Sequence, residues 1–489
     1  MRRVAIALGL AVLAPSAIIG AATWALLPPR APAPERIDRV FSDVVLIEAG
    51  RPARPVGQLR IADGVIAAIG ETRAAARADT ADLAGLYVSP GLADLHVHYP
   101  PRLAVGNAEL WSLLLLAHGV TSVRETGSID GSVFSVREAI RAGRYPGPRI
   151  FACGRILDGD PPSFPSNRVI ASPVQAREAV ASLARQGADC IKVYNTLSQQ
   201  ALAALREAAA AAQLPLIGHV PHAVPFESAG LVDVQHGTGA VEVDRERVGR
   251  LDFRAEDWQT MDDARIAFIA QVSLEQDIAH TPTLVNARMR RLLTDPRAAQ
   301  LQMARDTGLR HLPRFWPDVW RAIWGAPFGA GDARGEAMHE LFRSRQTRMT
   351  AGLHSAGVRI HAGTDTLMPY VAPGASLLGE LADLTAAGIP SASVFEIATR
   401  EAGRSLGLPG LGTLALGAPA DLVFLRSDPS QNLAAFAQIE AVLADGRLYR
   451  RADLDARLAA ADAHFQGRFY SAVMGSLATL LRDRFRPGG

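Results

Sequence analysis

Six side chains of types that bind metals or activate water stand at the ends of short apolar runs: His96, His98, Lys192, His219, His236 and Asp365. In His96-Val97-His98 the imidazoles are two residues apart. On a strand of period two, both point to one side while Val97 points away. Two neutral imidazoles converging in this way can hold a borderline transition metal, although a bare His-x-His is more often incidental. Lys192 carries a second signal. Of 51 basic residues it is the single lysine, and every other is arginine. Arginine cannot lose its proton in a protein, whereas a buried lysine amine can, and the neutral amine is a nucleophile open to chemical modification. The competing account of Lys192 is chance survival of one lysine.

Such groups need a frame that brings them together. Candidate strands lie at 92–98, 121–125, 149–153, 190–194, 215–220, 232–236, 278–283 and 358–363, with helical stretches such as 198–213 between most of them. Eight strand–helix units predict an α/β chain, a (β/α)8 barrel whose reactive residues project from the C-terminal strand ends. His96 and His98 close the first strand, Lys192 lies on the fourth, His219 and His236 end the fifth and sixth, and Asp365 follows the eighth. Agreement among these positions weighs more than any one of them. Short strand-and-turn patterns before and after the middle segment predict a small β-sandwich built from both ends. The expected domains are a signal peptide or signal anchor over 1–29, a linker over 30–37, sandwich segments over 38–88 and 408–450, and a barrel over 89–407. An insertion at about 244–352 holds Trp316, Trp320 and Trp324, as a lid or as a packed subdomain. An amphipathic helix over 451–489 would rest on the barrel, on a second copy in a homo-oligomer, or on a membrane surface.

The 489 residues are 48% hydrophobic and 20% charged, enough for one large core and a smaller domain. A net charge of +2, with no basic run, argues against a nucleic-acid partner. Cys153 and Cys190 are too few for a disulfide framework and are expected as buried free thiols. Arg2 and Arg3 precede an apolar run over 4–27, which meets the roughly 20 residues needed to span a bilayer. The arginines would stay inside, so the expectation is an extracytoplasmic (periplasmic or exported) enzyme, tethered to the membrane through this segment or released by cleavage.

The stretch Ser89-Pro90-Gly91-Leu92-Ala93-Asp94-Leu95-His96-Val97-His98 resembles the opening motif of the amidohydrolase superfamily. Gly187-Ala188-Asp189-Cys190-Ile191-Lys192-Val193-Tyr194, Gly218-His219, Gln235-His236-Gly237 and Ala362-Gly363-Thr364-Asp365 follow in that superfamily's order. The set looks closest to the imidazolonepropionase-like and Xaa-Pro-dipeptidase-like (prolidase-like) branch. The resemblance implies two divalent metal ions, zinc by default. His96, His98 and Asp365 would hold one and His219 and His236 the other. Lys192, carboxylated by carbon dioxide, and a hydroxide would bridge them. It implies hydrolysis of a carbon–nitrogen bond in a small amide or peptide, such as a dipeptide or N-acyl amino acid, with Asp365 as the proton carrier. Tyr194, His280 and Thr283 are the candidate substrate contacts. His118, His354 and His361 read as core histidines, and Arg124 with Glu125 as a structural pair beneath the site. Competing readings are a one-metal deaminase or cyclic-amide hydrolase, and a membrane-tethered binding protein without turnover.

Overall fold

The computed structural model describes residues 25–29, 31–71, 80–241, 255–324 and 333–485. The expected anchor lies outside the described residues except at 25–27, as do parts of the expected insertion. Four strands open the described chain: β1 (Arg39–Leu46), β2 (Arg54–Ala62), β3 (Val65–Gly70) and β4 (Tyr87–Pro90). The middle carries β5 (Leu92–Val97), β6 (Val120–Glu125), β7 (Arg149–Ala152), β8 (Leu157–Asp158) and β9 (Arg168–Val169). It continues with β10 (Ile191–Val193), β11 (Leu216–Gly218), β12 (Asp233–Gln235) and β13 (Ala279–Thr281). The strands β14 (Leu422–Leu425), β15 (Ile439–Ala444) and β16 (Arg447–Arg450) follow.

Both ends meet in one seven-stranded sheet of order β16-β15-β14-β4-β1-β2-β3. Two of its hairpins turn through Asp-Gly pairs, Asp63–Gly64 (φ 53° and 75°) and Asp445–Gly446 (φ 51° and 72°). Both residues of each pair are left-handed, which is what a two-residue turn needs to match strand twist. Alternate side chains, Phe41, Leu59, Val88 and Phe424 among them, form a small core on one face. The Phe41 and Phe424 rings lie 4.7 Å apart.

The middle strands run parallel in two sheets, β5-β6-β7 and β13-β12-β11-β10-β8-β9, with helices between them. Ser172 and Ser198 cap two of these helices, Pro173–Arg185 and Gln199–Ala211. Backbone bonds join the sheets: Asp189 N–H donates to Ala152 O at 2.8 Å. The expected strand 358–363 is not a regular strand among the described residues, but it is hydrogen-bonded on both sides. His280 N–H donates to Arg359 O (2.9 Å), His361 N–H to His280 O (2.8 Å) and Leu95 N–H to Ala362 O (2.9 Å).

The cysteines depart from expectation. Cys153 and Cys190 form a disulfide, with Cα atoms 4.5 Å apart and a sequence separation of 37. One directly follows β7 and the other directly precedes β10, so the Asp189–Ala152 bond sets them side by side. A pairing of strand ends is invisible in a two-cysteine count. The unfolded chain without reductant is expected to show no titratable thiol. The Cys153→Ala/Cys190→Ala variant should lose about 2–4 kcal/mol in urea unfolding, from the freed loop entropy.

The tail is two helices, Arg451–Phe465 and Arg468–Phe485, instead of one. Gln466, at the break, donates from Nε2 to Arg310 O at 2.6 Å, and Phe465, Tyr470 and Met474 are buried. Phe469 and Leu480 of the second helix are exposed. Among the described residues no helix is long and apolar enough to cross a membrane.

Candidate active site

The parallel strands deliver five of the six expected side chains to one end. His96 and Lys192 lie on β5 and β10, His98 just past β5, and His219 and His236 immediately after β11 and β12. Asp365 arrives from the irregular segment, its N–H donating to His96 O at 2.7 Å. All six line one cavity of about 290 Å³. Gly218 allows the approach: at φ 135°, a Cβ there would overlap the Val193 carbonyl oxygen and press on Lys192. His236 and Asp365 hold left-handed backbone at φ 59° and 63°. Non-glycine residues adopt this region where the surrounding structure imposes it, often at functional sites.

The donor atoms converge. His96 Nε2 and His98 Nε2 are 3.3 Å apart, and each faces Asp365 Oδ1, at 3.3 and 3.1 Å. His236 Nε2 is 3.9 Å from Asp365 Oδ2. The His236 ring lies 4.7 Å from that of His96 and 5.0 Å from that of His219. Three of the four rings are tied at the far nitrogen. His98 Nδ1 donates to Gly127 O (2.8 Å), His219 Nδ1 to Asn195 Oδ1 (2.7 Å) and His236 Nδ1 to Thr283 Oγ1 (2.7 Å). Thr283 gives its own proton to Pro282 O at 2.7 Å, so it must accept from His236. These bonds leave the Nε2 lone pairs aimed into the cavity, the arrangement of a metal-binding histidine. His96, His98 and Asp365 have ligand atoms within 4.8 Å of one another and could hold a metal ion.

Burial favours the neutral forms. It holds His96 and His219 well below the ordinary imidazole value and His236 down at about 3. It pushes the Lys192 amine down to about 7. For His98, burial is outweighed by the bond to Asp365 and its charge, and the value rises. Lys192 is 1% exposed, and its Nζ donates to Gln235 Oε1.

The remaining expectations separate. Tyr194 lines the cavity and stacks on His219, with ring centroids 4.0 Å apart. Thr283 lies behind His236, outside the lining residues. His280 is also outside; its Nε2 meets Ser273 Oγ at 2.9 Å and its ring stacks on Phe226. It alternates on β13 to the face turned from the cavity. Arg124 does not pair with Glu125, because neighbours on a strand point oppositely. Its partner is Asp233, at 2.5 Å, which also receives His361 Nδ1 at 2.6 Å. Glu125 instead accepts from Gly127 N–H at 3.0 Å, below His98, with its carboxyl pushed up to about 7 by burial.

Four contributors are absent from the sequence expectations. Asn195 and Gln235 hold His219 and Lys192. Asn286 donates from Nδ2 to Asp365 Oδ2 at 2.6 Å, and Arg290 lines the cavity. Asn195 follows the Lys-Val-Tyr run and was within reach of a strand-end argument. Asn286 and Arg290 sit on a helical segment beyond β13, where nothing marks them out.

Residues 87–449 match the amidohydrolase family model. The chain belongs to the amidohydrolase family. No curated protein matches this amidohydrolase. Among solved structures it resembles a bottromycin amidohydrolase, at 27% identity and a TM-score of 0.67, covering 91% of this chain and 93% of that one. It also resembles a Xaa-Pro dipeptidase with methionine bound in its active site, at 18% identity and a TM-score of 0.61, over 85% of this chain and 100% of that one. A third is the ochratoxinase of A. niger, at 19% identity and a TM-score of 0.59, over 86% and 96%. Like these hydrolases, this amidohydrolase is a hydrolase acting on carbon–nitrogen bonds.

Proposed function

We propose that this amidohydrolase cleaves the amide bond of a small molecule, a dipeptide or an N-acyl amino acid, at a centre of two divalent metal ions. The observation carrying this reading is the convergence of four imidazoles, Asp365 and a buried lysine in one cavity. His96, His98 and Asp365 would hold one ion and His219 and His236 the other, with Lys192, carboxylated by carbon dioxide, as a further ligand. A carbamate requires a neutral amine, which the burial of Lys192 favours. Zinc suits these nitrogen and oxygen donors and is the default. We read the parallel strands and segment 358–363 as a (β/α)8 barrel, supported by the backbone bonds running from β5 through β13 and back to Leu95. The terminal sheet is read as a small sandwich folded over its own core, supported by the bridge from Val65 back to Pro419.

The bound ions supply Lewis acidity, polarising the scissile carbonyl and lowering the pKa of water toward roughly 7. The rest falls to the chain. Asp365, oriented by Asn286, takes the proton of the attacking water and returns it to the leaving nitrogen. Asn195, Gly127 and Thr283 keep three imidazoles in the tautomer that leaves Nε2 open. Tyr194, protonated because burial raises its phenol, is placed to donate to a substrate oxygen.

Purified protein, loaded with zinc and freed of excess, should hold about two ions per chain and hydrolyse members of an amide panel. Chelation should remove both properties together, and added metal should restore both. One ion with activity retained would favour the one-metal deaminase or cyclic-amide reading. No ion and no hydrolysis would leave a binding protein. An extracytoplasmic location, tethered through residues 4–27, is part of the same proposal and is supported by the Cys153–Cys190 disulfide, a bond of oxidising compartments.

A further inference from the structure

The cavity is two-sided. Its floor carries the polar groups described above, while its outer wall is apolar. Trp320, Ile323 and Trp324 come from helix Trp316–Trp324, and Met474 and Leu477 from the tail helix Arg468–Phe485.

Its charges are few. Among the described lining residues Asp365 is the only carboxylate, and it faces His96 and His98. Among the described lining residues a free substrate ammonium therefore finds no acidic partner apart from Asp365. The only arginine among them is Arg290, which begins the short turn Arg290–Leu293 and keeps part of its surface open. Its Nε reaches Asn286 Oδ1 at 3.5 Å, and Asn286 holds Asp365 Oδ2 at 2.6 Å. Arg290 thus lies one residue beyond the group that would protonate the leaving nitrogen. Burial lowers its guanidinium only to about 10, so it stays charged at neutral pH.

Resting on the amide-hydrolase reading, we propose that the substrate is an N-acyl amino acid with a large apolar acyl group. Arg290 pairs with its α-carboxylate, and the acyl group lies against the tryptophan helix and the tail helix. The acyl nitrogen carries no charge and needs no acidic partner, which sets this class apart from dipeptides.

The test compares N-lauroyl-L-alanine, its carboxamide-capped analogue, N-acetyl-L-alanine and the dipeptide Leu-Ala. Binding to the metal-free chain is followed by tryptophan fluorescence, and hydrolysis is followed in the metal-loaded protein. Arg290→Gln should raise Kd and KM for lauroyl-alanine at least about tenfold, the scale of one lost charge-assisted hydrogen bond. The capped analogue should be little affected, and Arg290→Lys should recover part of the loss. Wild type should favour lauroyl-alanine over both the acetyl compound and the dipeptide. Equal effects of Arg290→Gln on free and capped ligands, or preference for the dipeptide, would overturn the substrate assignment while hydrolysis elsewhere in the panel left the amide reading standing. Failure to hydrolyse any amide with two ions bound would sink the amide reading itself, and loss of carboxylate-dependent binding in the same chain would then still speak for Arg290.

Discussion

Lys192→Arg is expected to leave the chain with less than one bound ion and to slow amide hydrolysis on the order of 10³-fold or more, since the centre that activates water is lost. The reasoning begins with burial. The lysine side chain is 1% exposed, and its amine is fixed by Gln235. Burial holds the amine at about 7, so near neutral pH a large fraction is unprotonated and able to add carbon dioxide. An ordinary lysine, with a pKa of roughly 10.4, would be almost wholly charged there. Arginine keeps its proton and brings a larger head into a space sized for an amine, at a cost of several kcal/mol for an unpaired buried ion. Ion content and turnover close to wild type would overturn the bridging role.

The same residue makes a prediction that needs no metal. With a folded value near 7 and an unfolded one of 10.5, the folded state binds fewer protons than the unfolded state between those pH values. Stability rises with pH wherever the unfolded state binds more protons. The metal-free protein should therefore become harder to unfold as pH climbs from about 7 toward 10.5. Lys192→Met, which removes the amine but keeps the length, should flatten that rise. A slope unchanged in the methionine variant would mean that Lys192 is not the group responsible.

How much of this could be read from the chain depended on whether the signal was local. Strand ends announce themselves through short apolar runs, and so His96, His98, Lys192, His219, His236 and Asp365 all stand out in the sequence. The hairpin turns at Asp63–Gly64 and Asp445–Gly446 were equally local. What escaped depends on neighbours distant in sequence. Cys153 meets Cys190 because a backbone bond from Asp189 to Ala152 joins the ends of strands from two sheets, and Arg124 meets Asp233 across 109 residues. Thr283, expected to touch substrate, lies behind His236 outside the cavity lining, its hydroxyl turned to that imidazole. Its backbone is left-handed (φ 54°), a conformation no propensity assigns to a β-branched residue. Helical spacing in the tail gave no hint of the break at Gln466, which the distant Arg310 carbonyl stabilises. Arg290 was hidden by abundance, since an arginine is unremarkable where nearly every cation is one.

Asp365→Asn should lower kcat for an amide by about 10²–10⁴-fold, the usual contribution of a positioned proton carrier. The substitution keeps the shape, and the amide oxygen can still accept from Asn286, so the fold should survive. What disappears is the charge facing His96 and His98 and the capacity to carry a proton. Two readouts separate those losses. In the metal-free chain the His98 value is raised through its bond to Asp365 and the attendant charge, so an NMR titration should show it falling in the variant. In the loaded protein, an acyl p-nitrophenyl ester, whose leaving group departs without protonation, should be hurt far less than the matching amide. Amide nitrogen is a poor leaving group unless protonated as it departs, and only an acid beside it can meet that need. Equal losses on ester and amide would show that Asp365 acts as a ligand alone and that another group delivers the proton.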